Sequence, residues 1–117
     1  MMKKIEIYTI VGENCITRTA GQKVYDLVHS ELLSGHSVDL DFEKVRVFAS
    51  PFFNASIGRL FEDIAPLDFD RLVKVSNLAP ANMQVFKQVI QNSKRYYSDK
   101  GYREALDATL REQAQAK

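Results

Sequence analysis

Three groups of side chains in this sequence have the chemistry for a reaction, and their spacing decides how far each can go. Cys15, His29 and His36 offer a thiol and two imidazoles, the groups used for nucleophilic catalysis and for zinc. Their separation fits no zinc pattern. The chain has no Gly-x-Ser-x-Gly elbow and no His-Glu-x-x-His helix, and its 5 glycines are too scattered for a phosphate loop. A buried structural Cys15 and surface histidines are therefore expected. Asp39 and Asp41 lie two apart, which on a strand puts both on one face, where paired oxygens could hold a metal or work as acid and base. No third ligand stands at a readable spacing, so solvation or an ion pair with Lys or Arg is the simpler role. The acidic stretch Glu62, Asp63, Asp68 and Asp70 reads as a solvated helix end and loop. Lys94-Arg95-Tyr96-Tyr97, with Lys100 and Arg103 beyond, interleaves cations and aromatics as single-strand nucleic-acid binders do. Tyr97 is better explained as a core residue of its helix, and the charges as that helix's solvated C-terminal end.

A fourth candidate is a surface. Ser50 followed by Pro51 is the signature of a helix start, with Ser50 as N-cap and Pro51 at the first helical position. The core-facing stripe of that helix is filled by Phe53, Ile57, Leu60, Phe61 and Ile64. Phe52 sits ~100° away from Phe53 around the axis, so it is not needed by that stripe. An aromatic outside it, beside Ser50 and Asn54, would suit a protein partner, and the equal alternative is that a second layer of the fold covers it.

The whole chain limits these roles. With 117 residues it fits one domain with one core. Its 16 basic and 15 acidic residues give a net charge of +1, so no global field draws it to nucleic acid or to an anionic membrane. No apolar run approaches the ~20 residues that span a bilayer. The single cysteine suits a reducing compartment, and a cytoplasmic protein without cofactor or metal is the expectation.

The elements that must position the candidates follow from periodicity. Lys4 to Val11 alternates as a strand, Gly12-Glu13-Asn14 as a turn, and Cys15 to Thr17 as a short second strand able to pair back as a hairpin. Val24, Leu27, Val28 and Leu32 mark a helix from Ala20 to Ser34, ended by Gly35. Val38, Leu40 and Phe42 share one face of a strand from Ser37 to Phe42, and Val45 to Ala49 forms another just after it, joined by a tight turn unless a bulge makes the two one long bent strand. The helix from Pro51 runs to about Ile64, where Ala65-Pro66 stops it. Leu72 to Ser76 reads as a buried strand. Pro80 opens a helix carrying Met83, Phe86, Val89, Ile90 and Tyr97, and a last helix carries Tyr102, Leu106 and Leu110. The alternation predicts an α/β fold: a mixed sheet of about four to five strands with helices packed on it, plus a C-terminal helix.

The stretch from Ser37 to Asn54 resembles the bacterial STAS-like family. Leu40-Asp41-Phe42, a short strand about five residues on, Ser50, Phe52 and Gly58-Arg59-Leu60 match that pattern, and Thr17-Arg18 looks like the pair that precedes the family's first helix. The likeness covers roughly residues 5 to 90. It implies a STAS-like domain over residues 1–98, followed by a C-terminal helix and frayed tail over 99–117. The family is similar in turn to the domain named for sulphate transporters and anti-sigma-factor antagonists, in which a hydroxyl at the start of the helix after the third strand is phosphorylated by a histidine-kinase-like ATPase. Carried over by position, that hydroxyl is Ser50, although Ala49 stands where an Asp usually precedes it and Phe52-Phe53-Asn54 replaces a small Gly-Leu-Gly.

The resemblance implies a non-enzymatic, protein-binding regulatory module of the anti-sigma-factor-antagonist kind. It would dock a partner, such as a histidine-kinase-like ATPase, through Ser50, Phe52 and Asn54, with Ser50 as the candidate phosphoacceptor and self-association left open. The rival expectations are a small enzyme using Asp39, Asp41 or Cys15, and a nucleic-acid-binding accessory protein using Lys94 to Arg103.

Overall fold

A computed structural model describes residues 2–98 and Asp107. The chain opens with strand β1 (Met2–Glu6), whose partner is β3 (Ser37–Asp41), and β3 pairs on its other side with β5 (Val73–Ser76). Both pairings are parallel, with Ile5 beside Leu40 and Leu40 beside Val75. This is a three-stranded parallel sheet, smaller than the mixed sheet expected. The short strands β2 (Asn14–Cys15) and β4 (Val47–Phe48) pair in parallel with each other and form a separate ladder. Neither the hairpin after β1 nor the tight β3–β4 pairing forms. The register explains both outcomes, because a parallel neighbour needs a long crossover and each short strand finds its partner on the far side of a helix.

β1 stops at Glu6, where its pairing with Asp41 ends β3 as well. The alternation from Ile7 onward has no ladder to join, so the chain turns into a short helix, α1 (Ile7–Val11), that seals Ile7 in the core and closes at Gly12. Helix α2 (Arg18–Leu33) begins two residues before the expected Ala20, because Thr17 caps it by accepting the Ala20 N–H at 3.0 Å. Val24, Val28 and Leu32 face the core as the spacing predicts, while Leu27 is 48% exposed and Gly21 and Tyr25 are buried instead. Gly35, with φ +81°, supplies the left-handed residue that ends the helix.

The expected long helix from Pro51 to Ile64 is broken. Helix α3 (Ser50–Ser56) gives way to a 3-10 turn over Gly58–Glu62. Two features weaken the α pattern there: the buried Ser56 hydroxyl donates back to the Phe52 carbonyl at 2.8 Å, and Gly58 is a poor helix former packed against Ser93. The apolar stripe Phe53, Ile57, Leu60, Phe61 and Ile64 is nevertheless wholly buried. Helix α4 (Pro66–Leu72) occupies the stretch read as a loop, with Pro66 in its first turn and Phe69 and Leu72 buried, and it runs straight into β5. The C-terminal helix of the described residues is α5 (Pro80–Ser98), which lies against α3 and the 3-10 turn. The helix expected around Tyr102, Leu106 and Leu110, and the boundary at 99–117, lie outside the described residues.

One face of the sheet (Ile5, Val38, Leu40, with Phe42 following) joins the core, and α2 and α4 both touch β3. The other face carries Lys4, Glu6, Asp39, Lys74 and Ser76, polar side chains that are exposed or half-buried among the described residues. Among the described residues no helix is long and apolar enough to cross a membrane.

Candidate functional site

Helix α3 is held on two sides. Toward α2 the approach is so close that a Cβ on Gly21 would sit 2.7 Å from the Phe52 carbonyl oxygen and 2.8 Å from the Ala55 Cβ. On the other side Phe53 meets a cluster of rings, with centroids 5.5 Å from Phe48, 5.6 Å from Phe86 and 6.2 Å from Phe42. Two buried flanks leave no room for an exposed residue at either position, so Phe52 is 0% exposed, like Phe53. This overturns the expectation of Phe52 as a partner anchor. It is a core residue whose backbone carbonyl lies against Gly21 of α2 and whose ring stands 5.6 Å from that of Phe53.

Ser50, Pro51 and Asn54 make up the solvent side of α3. Ser50 is the first residue of the helix and not its cap. Ala49 holds the cap position with extended backbone, and no side chain closes that end. The Ser50 hydroxyl makes no hydrogen bond among the described residues. The Ser-Pro signal correctly marks the start of a helix, but shifted by one residue.

Asn54 also lines a cleft of about 670 Å³ between the start of α2, the exposed side of α3, the 3-10 turn and the end of α5. Arg18, Gln22, Arg59, Tyr96 and Asp107 line it too. The Arg59 guanidinium is fixed: one nitrogen donates to Gln22 Oε1 at 2.7 Å, and the group lies 4.6 Å from the Tyr25 ring centroid. A weaker approach to Glu62, at 3.9 Å, lies on its outer side. Gln22 is itself held by donating to Asp26 at 2.8 Å. Tyr96 donates its hydroxyl to Asp107 at 2.8 Å. Sequence reading found Asn54 but missed the cleft, because Arg18, Gln22 and Arg59 come together only once α2 packs on α3. The signal available was Thr17-Arg18 and Gly58-Arg59-Leu60, two separate matches to one family pattern.

Of the remaining candidates among the described residues, Tyr96 and Tyr97 also line this cleft, and the others do not. At the carboxyl end of the sheet, Asp41 is 4% exposed and fully engaged. Its Oδ1 accepts the Asn77 amide at 2.8 Å and the Glu43 backbone N–H at 3.0 Å, and Oδ2 pairs with Lys4 at 3.2 Å. The Asn77 and Glu43 donors, with Lys4 beside them, hold its carboxyl below the usual carboxylate range despite burial, which makes it a poor base. Asp39 accepts the Ser76 hydroxyl at 2.9 Å. The two carboxylates tie strands together, and no group of three or more His, Cys, Asp or Glu among the described residues could hold a metal ion.

Cys15 is completely buried, and that burial pushes its thiol up to about 12, so it carries no thiolate at neutral pH. His29 contacts Asp63 at 2.7 Å and stacks on Tyr25, and His36 contacts Glu31 at 2.7 Å. In the basic and aromatic run, Lys94 pairs with Asp70 at 3.2 Å and Tyr97 packs partly on the core. Lys100 and Arg103 lie outside the described residues.

Among known families, one described as STAS-like domain of unknown function (DUF4325) matches residues 20–83, a stretch that includes Ser50, Asn54 and Arg59 and begins just after Arg18. No curated protein and no solved structure shows significant similarity to the chain. Over more than half its length, and with helices packed on a small parallel sheet, the chain belongs to the STAS-like domain family.

Proposed function

We propose that this chain is a non-enzymatic, protein-binding regulatory module that docks its partner through the exposed side of α3, with Ser50 and Asn54 in the contact. The observation that carries this reading is the division of α3: its two inner flanks are closed by α2 and by aromatic rings, while Ser50, Pro51 and Asn54 face solvent beside a cleft. A hydroxyl without a hydrogen-bond partner among the described residues, at the position where the similar anti-sigma-factor antagonists carry their regulated one, suits control by modification. Phosphate there would bring up to a double negative charge to the contact. The partner class that this family likeness favours is a histidine-kinase-like ATPase.

The test is to purify the tagged chain from its native cell, identify the co-purifying protein, and titrate the pair by calorimetry. Ser50→Glu and Asn54→Ala should each weaken that affinity at least tenfold with unchanged thermal unfolding. Full affinity in both variants would move the docking surface elsewhere.

A further inference from the structure

The cleft beside Asn54 has a recognisable chemistry. Arg18 is exposed at the first turn of α2 and makes no hydrogen bond or ion pair among the described residues. Arg59 is the opposite case, its guanidinium already oriented by Gln22 and the Tyr25 ring, with donors to spare. A cation held in place before binding loses little side-chain freedom on binding. The amides of Gln22 and Asn54 and the Tyr96 hydroxyl add neutral hydrogen-bonding groups to the same walls. One carboxylate of the chain itself, Asp107, already sits at this cleft on the Tyr96 hydroxyl.

We propose that the cleft receives an acidic side chain, Asp or Glu, of the protein partner, gripped by Arg18 and aligned by Arg59. This rests on the docking surface assigned to α3 and adds the chemistry of what enters beside it. Carboxylate and guanidinium match in geometry as well as charge, and the paired, two-pronged contact is the strong form of that interaction. A nucleic-acid strand fits less well. It needs a track of cations to neutralise successive phosphates, whereas the described residues place two arginines in this cleft, a match for a single carboxylate.

The experiment uses the full chain and three fluorescent probes: a peptide of alternating Glu and Leu, the same peptide with Gln for Glu, and a single-stranded DNA of similar length. The Glu peptide should bind at least tenfold more tightly than the Gln peptide and than the DNA, with amide NMR shifts centred on Arg18, Asn54 and Arg59. Arg18→Glu and Arg59→Gln should each remove that preference. Arg18→Glu keeps the fold, because an acidic residue is favourable in the first turn of a helix; its unfolding curve checks this. Equal binding of the Glu and Gln peptides, tighter binding of the DNA, or displacement of the Glu peptide by millimolar inorganic phosphate alone would each overturn the proposal. With the co-purified partner, loss of affinity in Asn54→Ala but not in Arg18→Glu would overturn acid recognition and leave docking intact. Full affinity in both would remove docking at this surface as well.

Discussion

A buried carboxylate in a small protein is usually read as chemistry, yet Asp41 works as a fastener. Two donors on one oxygen and a lysine on the other bring the ends of β1 and β3 and the loop after β5 to one point. Asp41→Ala would leave the Asn77 amide and the Glu43 N–H without their acceptor, which should cost roughly 2–3 kcal/mol in urea unfolding at neutral pH. Because the folded carboxyl lies below the ordinary value of 3.8, this contribution is complete above that pH and is lost as the pH falls through the folded value. The gap between wild type and Asp41→Ala should therefore narrow in acid, and a gap that stays constant to about pH 2 would show that the charge does not matter. Ser50→Ala should change stability by less than about 0.5 kcal/mol, since no cap bond is lost. Cys15 should react with a thiol reagent only as fast as the protein unfolds; quick labelling of the native chain would contradict its burial.

Among the elements, the crossing of α2 over α3 is the most sensitive to substitution. An alanine at position 21 would gain about 1 kcal/mol in helix propensity. It would also drive a methyl group to 2.7 Å from a backbone oxygen that cannot rotate away. Overpacking of that kind typically costs 1–3 kcal/mol, so Gly21→Ala should lower stability by about 1 kcal/mol net and should disturb the cleft through Arg18 and Gln22. A neutral or stabilising result would mean that the two helices can separate freely. This contact also shows why sequence reading reached only part of the site. Periodicity reports which face of a helix is apolar, so the buried stripe of Phe53, Ile57, Leu60, Phe61 and Ile64 was legible. It says nothing about a second neighbour. Phe52 therefore looked available, when it is fully buried. Helix α4 was missed for a related reason: at seven residues it shows only the pair Phe69 and Leu72, too few turns for a period to emerge.

At the scale of the whole molecule, α/β character and helices on a sheet could be read from the order of elements, but strand partners could not. Val45 to Ala49 follows Ser37 to Phe42 so closely that a hairpin was the natural expectation; the short strand instead reaches across to Cys15, and the sheet stays at three strands. Local spacing cannot show that two strands far apart in sequence will align side by side.

The same register governs how quickly the chain can find its fold. In the main sheet each residue of one strand lies beside the residue thirty-five places later, Ile5 with Leu40 and Leu40 with Val75. No sheet hydrogen bond can form until a loop of that length has closed twice, an entropy cost met before any ladder repays it. Helices α2 and α5 can form within their own segments, so stopped-flow refolding should show helical signal appearing ahead of the burial of Phe42 and Phe53. The slower step should respond to Leu40→Ala more than to changes in α5. Simultaneous appearance of both signals would mean that the helices wait for the sheet.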